Sequence, residues 1–207
     1  MTSPDFSFER AAPFSPVCGV DEAGRGPWAG PVVAAAAILD PAAAPAGLND
    51  SKKLSARRRE ALFEALRSVA DIGVGIASVE EIDELNILNA TYLAMRRAID
   101  ALSQAPAYVL IDGNRAPKGL LCPAETIVKG DSRSASIAAA SIVAKETRDR
   151  IMVNLAEAHP QYGWSRNKGY GVKAHAEALR LYGVTPHHRR SFAPIHKMLC
   201  EENKLSD

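Results

Sequence analysis

The 207-residue sequence has no long hydrophobic run. Its longest, Val32 to Leu39, falls far short of the roughly 20 apolar residues needed to cross a bilayer, so no membrane span is expected. Residues 1–16 (MTSPDFSFERAAPFSP) carry acids and lack an apolar core, and read as a flexible N-terminal arm rather than a secretory signal. Cysteine is scarce. Cys18, Cys122 and Cys200 are odd in number, widely spaced and match no metal or redox spacing, which fits a reducing cytoplasm. Internal repeats and low-complexity tracts are missing too. With 24% charged and 47% apolar residues the composition is that of an ordinary globular protein, and a chain this long buries roughly 70% of its unfolded surface in one domain.

Several catalytic signatures are also absent. Gly73-Val74-Gly75-Ile76-Ala77-Ser78 approaches a dinucleotide-binding pattern but lacks its third glycine and lies in a strand-like run. There is no phosphate-cradling loop and no Gly-x-Ser-x-Gly elbow. His187-His188 has no further ligand spaced to complete a metal site, so a surface or phosphate-contact role is expected.

Net charge is nearly absent, at +1, but the balance is uneven. Residues 145–197 hold ten Lys/Arg against four acids, all five histidines, and Tyr162, Trp164, Tyr170, Tyr182 and Phe192. The remaining sequence holds 15 basic and 20 acidic residues. Basic and aromatic residues interleaved in this way suit a nucleic-acid backbone, and equally a solvated helical face with packing aromatics.

Strands are expected at Val17–Val20, Pro31–Leu39, Ile72–Ala77, Tyr108–Ile111 and Glu125–Val128. Helices are expected from an N-cap at Ser55 to about Ala70, over Ile87–Leu102, over Ser134–Ala158 and over Lys173–Tyr182, with Gly183 as a stop. Ser78 reads as the cap of a short turn. Helices between strands make the core α/β with a mixed sheet.

Three strand-like runs lead into acids: Val17–Val20 into Asp21-Glu22, Tyr108–Ile111 into Asp112, and Glu125–Val128, through Lys129-Gly130, into Asp131. Strand ends of one α/β sheet can gather in a crevice, and carboxylates that close repel unless cations sit between them. Hard oxygen ligands favour Mg²⁺ or Mn²⁺, which support phosphodiester hydrolysis. The Gly24-Arg25-Gly26 turn follows the first acids, Asn49-Asp50-Ser51-Lys52-Lys53 offers donors and cations, and glycines flank Tyr170. Metal-dependent cleavage of a nucleic acid is the chemistry these residues favour.

The sequence resembles bacterial ribonuclease HII, the type 2 ribonuclease H. The resemblance rests on Gly19-Val20-Asp21-Glu22-Ala23-Gly24-Arg25-Gly26-Pro27, Asn49-Asp50-Ser51-Lys52-Lys53-Leu54, Ile111-Asp112-Gly113-Asn114 and Lys129-Gly130-Asp131. It continues through Ser136 to Ile142, Ala144-Lys145, Arg148-Asp149-Arg150, Gly169-Tyr170-Gly171 and His188-Arg189-Arg190-Ser191-Phe192, in order from about residue 17 to 195. It implies an RNase H-like fold, with a five-stranded mixed sheet flanked by helices and a helical C-terminal extension. Residues 17–198 would form the catalytic domain, about 160–198 its basic substrate-binding portion, and 199–207 a tail. Asp21, Glu22, Asp112 and Asp131 would hold two divalent cations. Gly24, Arg25, Gly26 and Tyr170 would sense the ribonucleotide 2′-hydroxyl, the group that separates RNA from DNA, while Ser51, Lys52, Arg189 and Arg190 would also bind substrate.

The implied reaction cuts the RNA strand of RNA–DNA hybrids and single ribonucleotides in duplex DNA, leaving 5′-phosphate and 3′-hydroxyl ends, by a monomer in the cytoplasm. No clamp-binding peptide is evident at the C-terminus, and Asp149 reads either as a helix-surface pairing residue or as a support behind the metal-binding acids. Trp28 and Arg133 depart slightly from the family pattern. The alternatives are a binding module without cleavage and a type 3 ribonuclease H, whose members usually carry an extra N-terminal domain.

Overall fold

The computed structural model describes residues 3–204. The strands are β1 (Val17–Ala23), β2 (Val32–Leu39), β3 (Ala70–Ala77), β4 (Tyr108–Asp112) and β5 (Ala124–Ile127). They form one mixed sheet in the order β3-β2-β1-β4-β5. The β1-β2-β3 pairings are antiparallel, while β1-β4 and β4-β5 are parallel. Both faces of β2 are covered, which explains a strand without polar alternation. Ala35, Ala37 and Leu39 face α2 (Ala56–Val69) and α4 (Ala135–Ala158), whereas Val32, Ala34 and Ala36 face α3 (Val79–Asp100).

Small residues let the helices lie close. A Cβ on Gly73 or Gly75 would sit about 2 Å from the carbonyl oxygens of Ala98 or Ala94 on α3, so this glycine pair is a groove for the helix. Helix α4 approaches β1 as tightly, with the Ser136 backbone 2.2 Å from the Cβ position of Gly19.

Ser78 caps a longer element than the short turn expected. Ser78 and Glu81 form a reciprocal capping box, and α3 runs on from there to Asp100. A break at Asn86 (φ 66°) divides it, and Asn86 Oδ1 accepts from the amides of Leu88 and Asn89. The second part therefore starts at Ile87, where the apolar spacing placed it.

The N-terminal segment differs from the flexible arm expected. A short helix, α1 (Ser7–Ala11), docks on the sheet, with Asp5 paired to Arg133 and Ala135 through backbone hydrogen bonds. Glu9 accepts from Ser134 Oγ at 2.6 Å and Ser136 N at 2.8 Å, at the positive end of α4. Phe8 packs on Leu110, Ile127 and Ile137, beneath the Arg133 guanidinium.

The C-terminal part carries α5 (Trp164–Asn167), α6 (Lys173–Tyr182) and α7 (Ala193–Lys204). Tyr162 and Trp164 stack with centroids 5.0 Å apart in a core with Met152, Leu179 and Ile195. Leu199 packs on that core, so the expected boundary of a 199–207 tail falls inside a helix; residues 205–207 lie outside the described residues.

Candidate active site

Parallel pairing of Val20 with Ile111 sets Asp21 of β1 beside Asp112 at the end of β4. Asp131 enters from a single 3₁₀ turn, Gly130–Ser132, just beyond β5. One carboxylate oxygen from each of the three lies within 4.8 Å of the others. Three of the four expected carboxylates meet this tightly, and Glu22 lies close enough for its charge to raise Asp21. Glu22 borders the cavity beside them, its Oε1 accepting from Arg25 Nη1 at 3.3 Å. The Gly130 amide donates to Asp112 Oδ1 at 2.7 Å, and the Glu22 amide to Asp21 Oδ1 at the same distance.

The electrostatics are those of crowded, buried acids. Burial first, then the charges of Glu22 and Asp112, hold the Asp21 carboxyl well above its ordinary range. Burial also raises Glu22 against the pull of Arg25, and raises Asp131, with Asp112 adding to the effect. Lys52 answers them. Its partial burial opposes the charge, but Asp21, Asp50, Asp131 and Asp112 together hold its ammonium above the usual pKa.

Beside the carboxylates opens a cavity of about 360 Å³, lined by Glu22, the Gly24-Arg25-Gly26 turn, Ser51, Lys52, Ser141, Lys145, Arg148 and Tyr170. Gly24 has φ +97°, and the Arg148 side chain occupies the place a Cβ would take, so only glycine fits there. Tyr170 is 45% exposed. Gly171 beside it is required by packing: the Trp28 ring lies 2.1 Å from its Cβ position. Ser51 is buried and accepts from Ser141 Oγ at 3.0 Å, while its carbonyl is held by Arg59, which also pairs with Glu146 at 2.5 Å and Asp149 at 3.7 Å. Asp149 is thus a pairing residue, bonded also to Lys145.

Sequence reasoning missed Ser141, Lys145 and Arg148 as site residues. Their i, i+4, i+7 spacing on one face of α4 was legible, but which face turned to the acids was not.

Two expected substrate contacts lie elsewhere. Arg189 is fully buried and bonds backbone carbonyls behind the turn, so it does not line the cavity. Arg190 is exposed, outside the cavity, and its amide donates to Asp83 on α3. The histidines also differ from the surface role expected. His188 is buried, and its Nε2 lies 3.0 Å from His175 Nε2. The Thr185 amide donates to His188 Nδ1, so His188 donates onward to His175, and His175 Nδ1 donates to the Tyr170 carbonyl at 2.9 Å.

A five-stranded mixed sheet with clustered acids at the ends of its adjacent parallel strands defines an RNase H-like nuclease. The family description "Ribonuclease HII" matches residues 18–195. The chain is 60% identical to a ribonuclease HII of Ruegeria pomeroyi over 98% of its own length and 88% of that protein's, and 61% identical to one of Jannaschia sp. over 95% and 98%. The fold matches ribonuclease H2 from Pyrococcus horikoshii OT3 with a TM-score of 0.76 at 30% identity, covering 91% of this chain and 99% of that one. It also matches the RNase HII solved with PCNA from Archaeoglobus fulgidus, with a TM-score of 0.71 at 28% identity, covering 84% and 93%. The chain belongs to the ribonuclease HII family. It is an endoribonuclease acting on RNA–DNA hybrids by phosphodiester hydrolysis.

Proposed function

We propose that the chain also cuts single ribonucleotides embedded in duplex DNA, leaving 5′-phosphate and 3′-hydroxyl ends, with two divalent cations, Mg²⁺ or Mn²⁺, held by Asp21, Glu22, Asp112 and Asp131. The observation that carries this reading is the meeting of three converging carboxylates with a cavity bordered by a glycine-rich turn and an exposed tyrosine. The donor set fits such ions: every candidate ligand is a hard oxygen, and the repulsion that raises Asp21 and Asp131 is what a cation relieves. When bound, the ions supply an activated water and stabilise the leaving oxygen.

The remaining work falls to the chain itself. Gly130 fixes the Asp112 carboxylate through its amide, and Lys52 balances the surplus negative charge while facing a phosphate. The Gly24-Arg25-Gly26 turn and Tyr170 sit where the sugar edge would lie, Tyr170 offering its ring and hydroxyl and the turn its amides. Water adds to phosphorus, the bond to the 3′-oxygen breaks, and the phosphate stays on the downstream strand. The three free cysteines and the lack of a membrane-crossing helix among the described residues are compatible with action in the cytoplasm, and we read the chain as a monomer there.

The test is cleavage of a duplex carrying one ribonucleotide, with Mg²⁺ or Mn²⁺, followed by analysis of the ends. A duplex left uncut by protein that still cuts a long RNA–DNA hybrid overturns the proposal.

A further inference from the structure

Arg148 and Arg189 are the largest buried cations of the molecule, 1% and 0% exposed, and neither forms an ion pair among the described residues. Buried charge of this kind is tolerated only where hydrogen bonds satisfy it. Here backbone carbonyls do so. Arg189 donates to Gly24 at 2.6 Å, Arg25 at 3.0 Å, Gly30 at 2.9 Å and Pro31 at 3.1 Å. Arg148 donates to Ala29 at 3.1 Å, Pro31 at 3.0 Å and Lys168 at 3.0 Å. The two planar forks share Pro31 and tie the Gly24–Pro31 segment to the loop that carries Tyr170.

The direction of these bonds has a geometric result. In a trans peptide the carbonyl and the following amide point opposite ways. Drawing the Gly24 and Arg25 carbonyls toward Arg189, behind the turn, turns the Arg25 and Gly26 amides away from it, toward the cavity that this turn lines. Neither amide donates to any group among the described residues. They are two aimed donors awaiting an acceptor.

We propose that Arg189, backed by Arg148, is a positioning residue that aims the Arg25 and Gly26 amides at the nucleotide sugar edge and thereby sets selectivity for the 2′-hydroxyl. This rests on the reading that the Gly24-Arg25-Gly26 turn meets the ribonucleotide. It also explains why arginine stands at both places: a lysine keeps the charge but its donors radiate from a single nitrogen, where the planar fork spreads donors on three nitrogens over three or four carbonyls.

The experiment compares binding of a duplex with one ribonucleotide and the same duplex all in DNA, with metal withheld so that neither is cut. Wild type, Arg189→Lys and Arg148→Lys are measured side by side. Wild type is expected to prefer the ribonucleotide duplex at least tenfold. Arg189→Lys should lose most of that ratio with all-DNA affinity changed less than twofold, and Arg148→Lys should lose part of it. General destabilisation lowers the active fraction for both duplexes alike and leaves the ratio unmoved. A folded Arg189→Lys with the full wild-type ratio overturns the positioning role, whereas a wild type without preference overturns the reading of the turn itself. Should both lysine variants fail to fold, wild-type amide resonances decide. Those of Arg25 and Gly26 must shift more with the ribonucleotide duplex than with the all-DNA duplex, and equal shifts overturn the proposal.

Discussion

Asp21→Asn should make the protein more stable when no divalent ion is present, while removing its activity. Asp21 is 6% exposed and lies within 4.8 Å of carboxylate oxygens of Asp112 and Asp131. Two unit charges at that distance repel by about 3.5 kcal/mol at an effective dielectric of 20, and Lys52 offsets part of this. Asparagine keeps the acceptor for the Glu22 amide and offers its own amide to a neighbouring carboxylate. We expect a gain of about 1–3 kcal/mol at pH 8 in EDTA, or roughly 5 °C in Tm for a domain of this size.

The sign with pH is fixed by the raised Asp21 pKa. As pH falls through it, the folded wild type takes up a proton that the unfolded chain does not, so wild type gains stability and the difference closes. Millimolar Mg²⁺ should shrink or reverse the difference, since only wild type keeps the complete site. Urea unfolding at pH 8 and pH 5.5, with and without metal, measures all of this. A variant no more stable than wild type in EDTA at pH 8, or a gap that widens on acidification, refutes the electrostatic account of the site.

Three further outcomes are expected. Asp112→Asn should lower hybrid cleavage by more than 100-fold, with affinity within a few fold, measured by single-turnover kinetics and by binding without metal, because binding depends on the basic surface. Burial holds the His188 pKa down to about 3; below pH 6.5 the unfolded chain gains a proton the folded one refuses, which costs about 2 kcal/mol by pH 5. The slope of stability against pH should therefore flatten by about one proton in His188→Asn, and an unchanged slope refutes it. Gly75→Ala should destabilise by at least about 2 kcal/mol in urea, because its methyl would meet the Ala94 carbonyl oxygen 2.0 Å away and α3 must move.

Asp21 and Asp112 were legible because each closes a short apolar run, and Asp131 because it follows one across Lys129-Gly130; strand ends in a sheet of this kind meet on one side. Glu22 joined them as the second acid of the pair ending the first strand-like run and by its place in the motif. In the structure Glu22 pairs with Arg25 and borders the same cavity, and its charge helps raise the Asp21 carboxyl. Helices α2 and α4 were found nearly to the residue, since their apolar spacing and the Ser55 and Ser134 caps are local properties, whereas the first turns of α3, before the break at Asn86, were read as a short turn.

What the sequence concealed was burial of charge. In a list of residues Arg189 and Arg190 are equal cations. In the fold one is fully buried against carbonyls and the other is exposed with its amide on Asp83, and nothing short of knowing which carbonyls lack partners distinguishes them. The near-neutral total hides the same fact twice. Among the bases of residues 145–197, Arg148 and Arg189 are taken up by the backbone and Lys145 and Arg150 by Asp149 and Glu64, so the surface left to grip phosphates is smaller than the count implies. The interleaved aromatics divide likewise: Tyr162 and Trp164 stack in the core, while Tyr170 reaches the cavity. The basic, aromatic C-terminal part therefore acts on the site chiefly from behind, holding the Gly24–Pro31 segment and the Tyr170 loop in register with carboxylates supplied by the sheet.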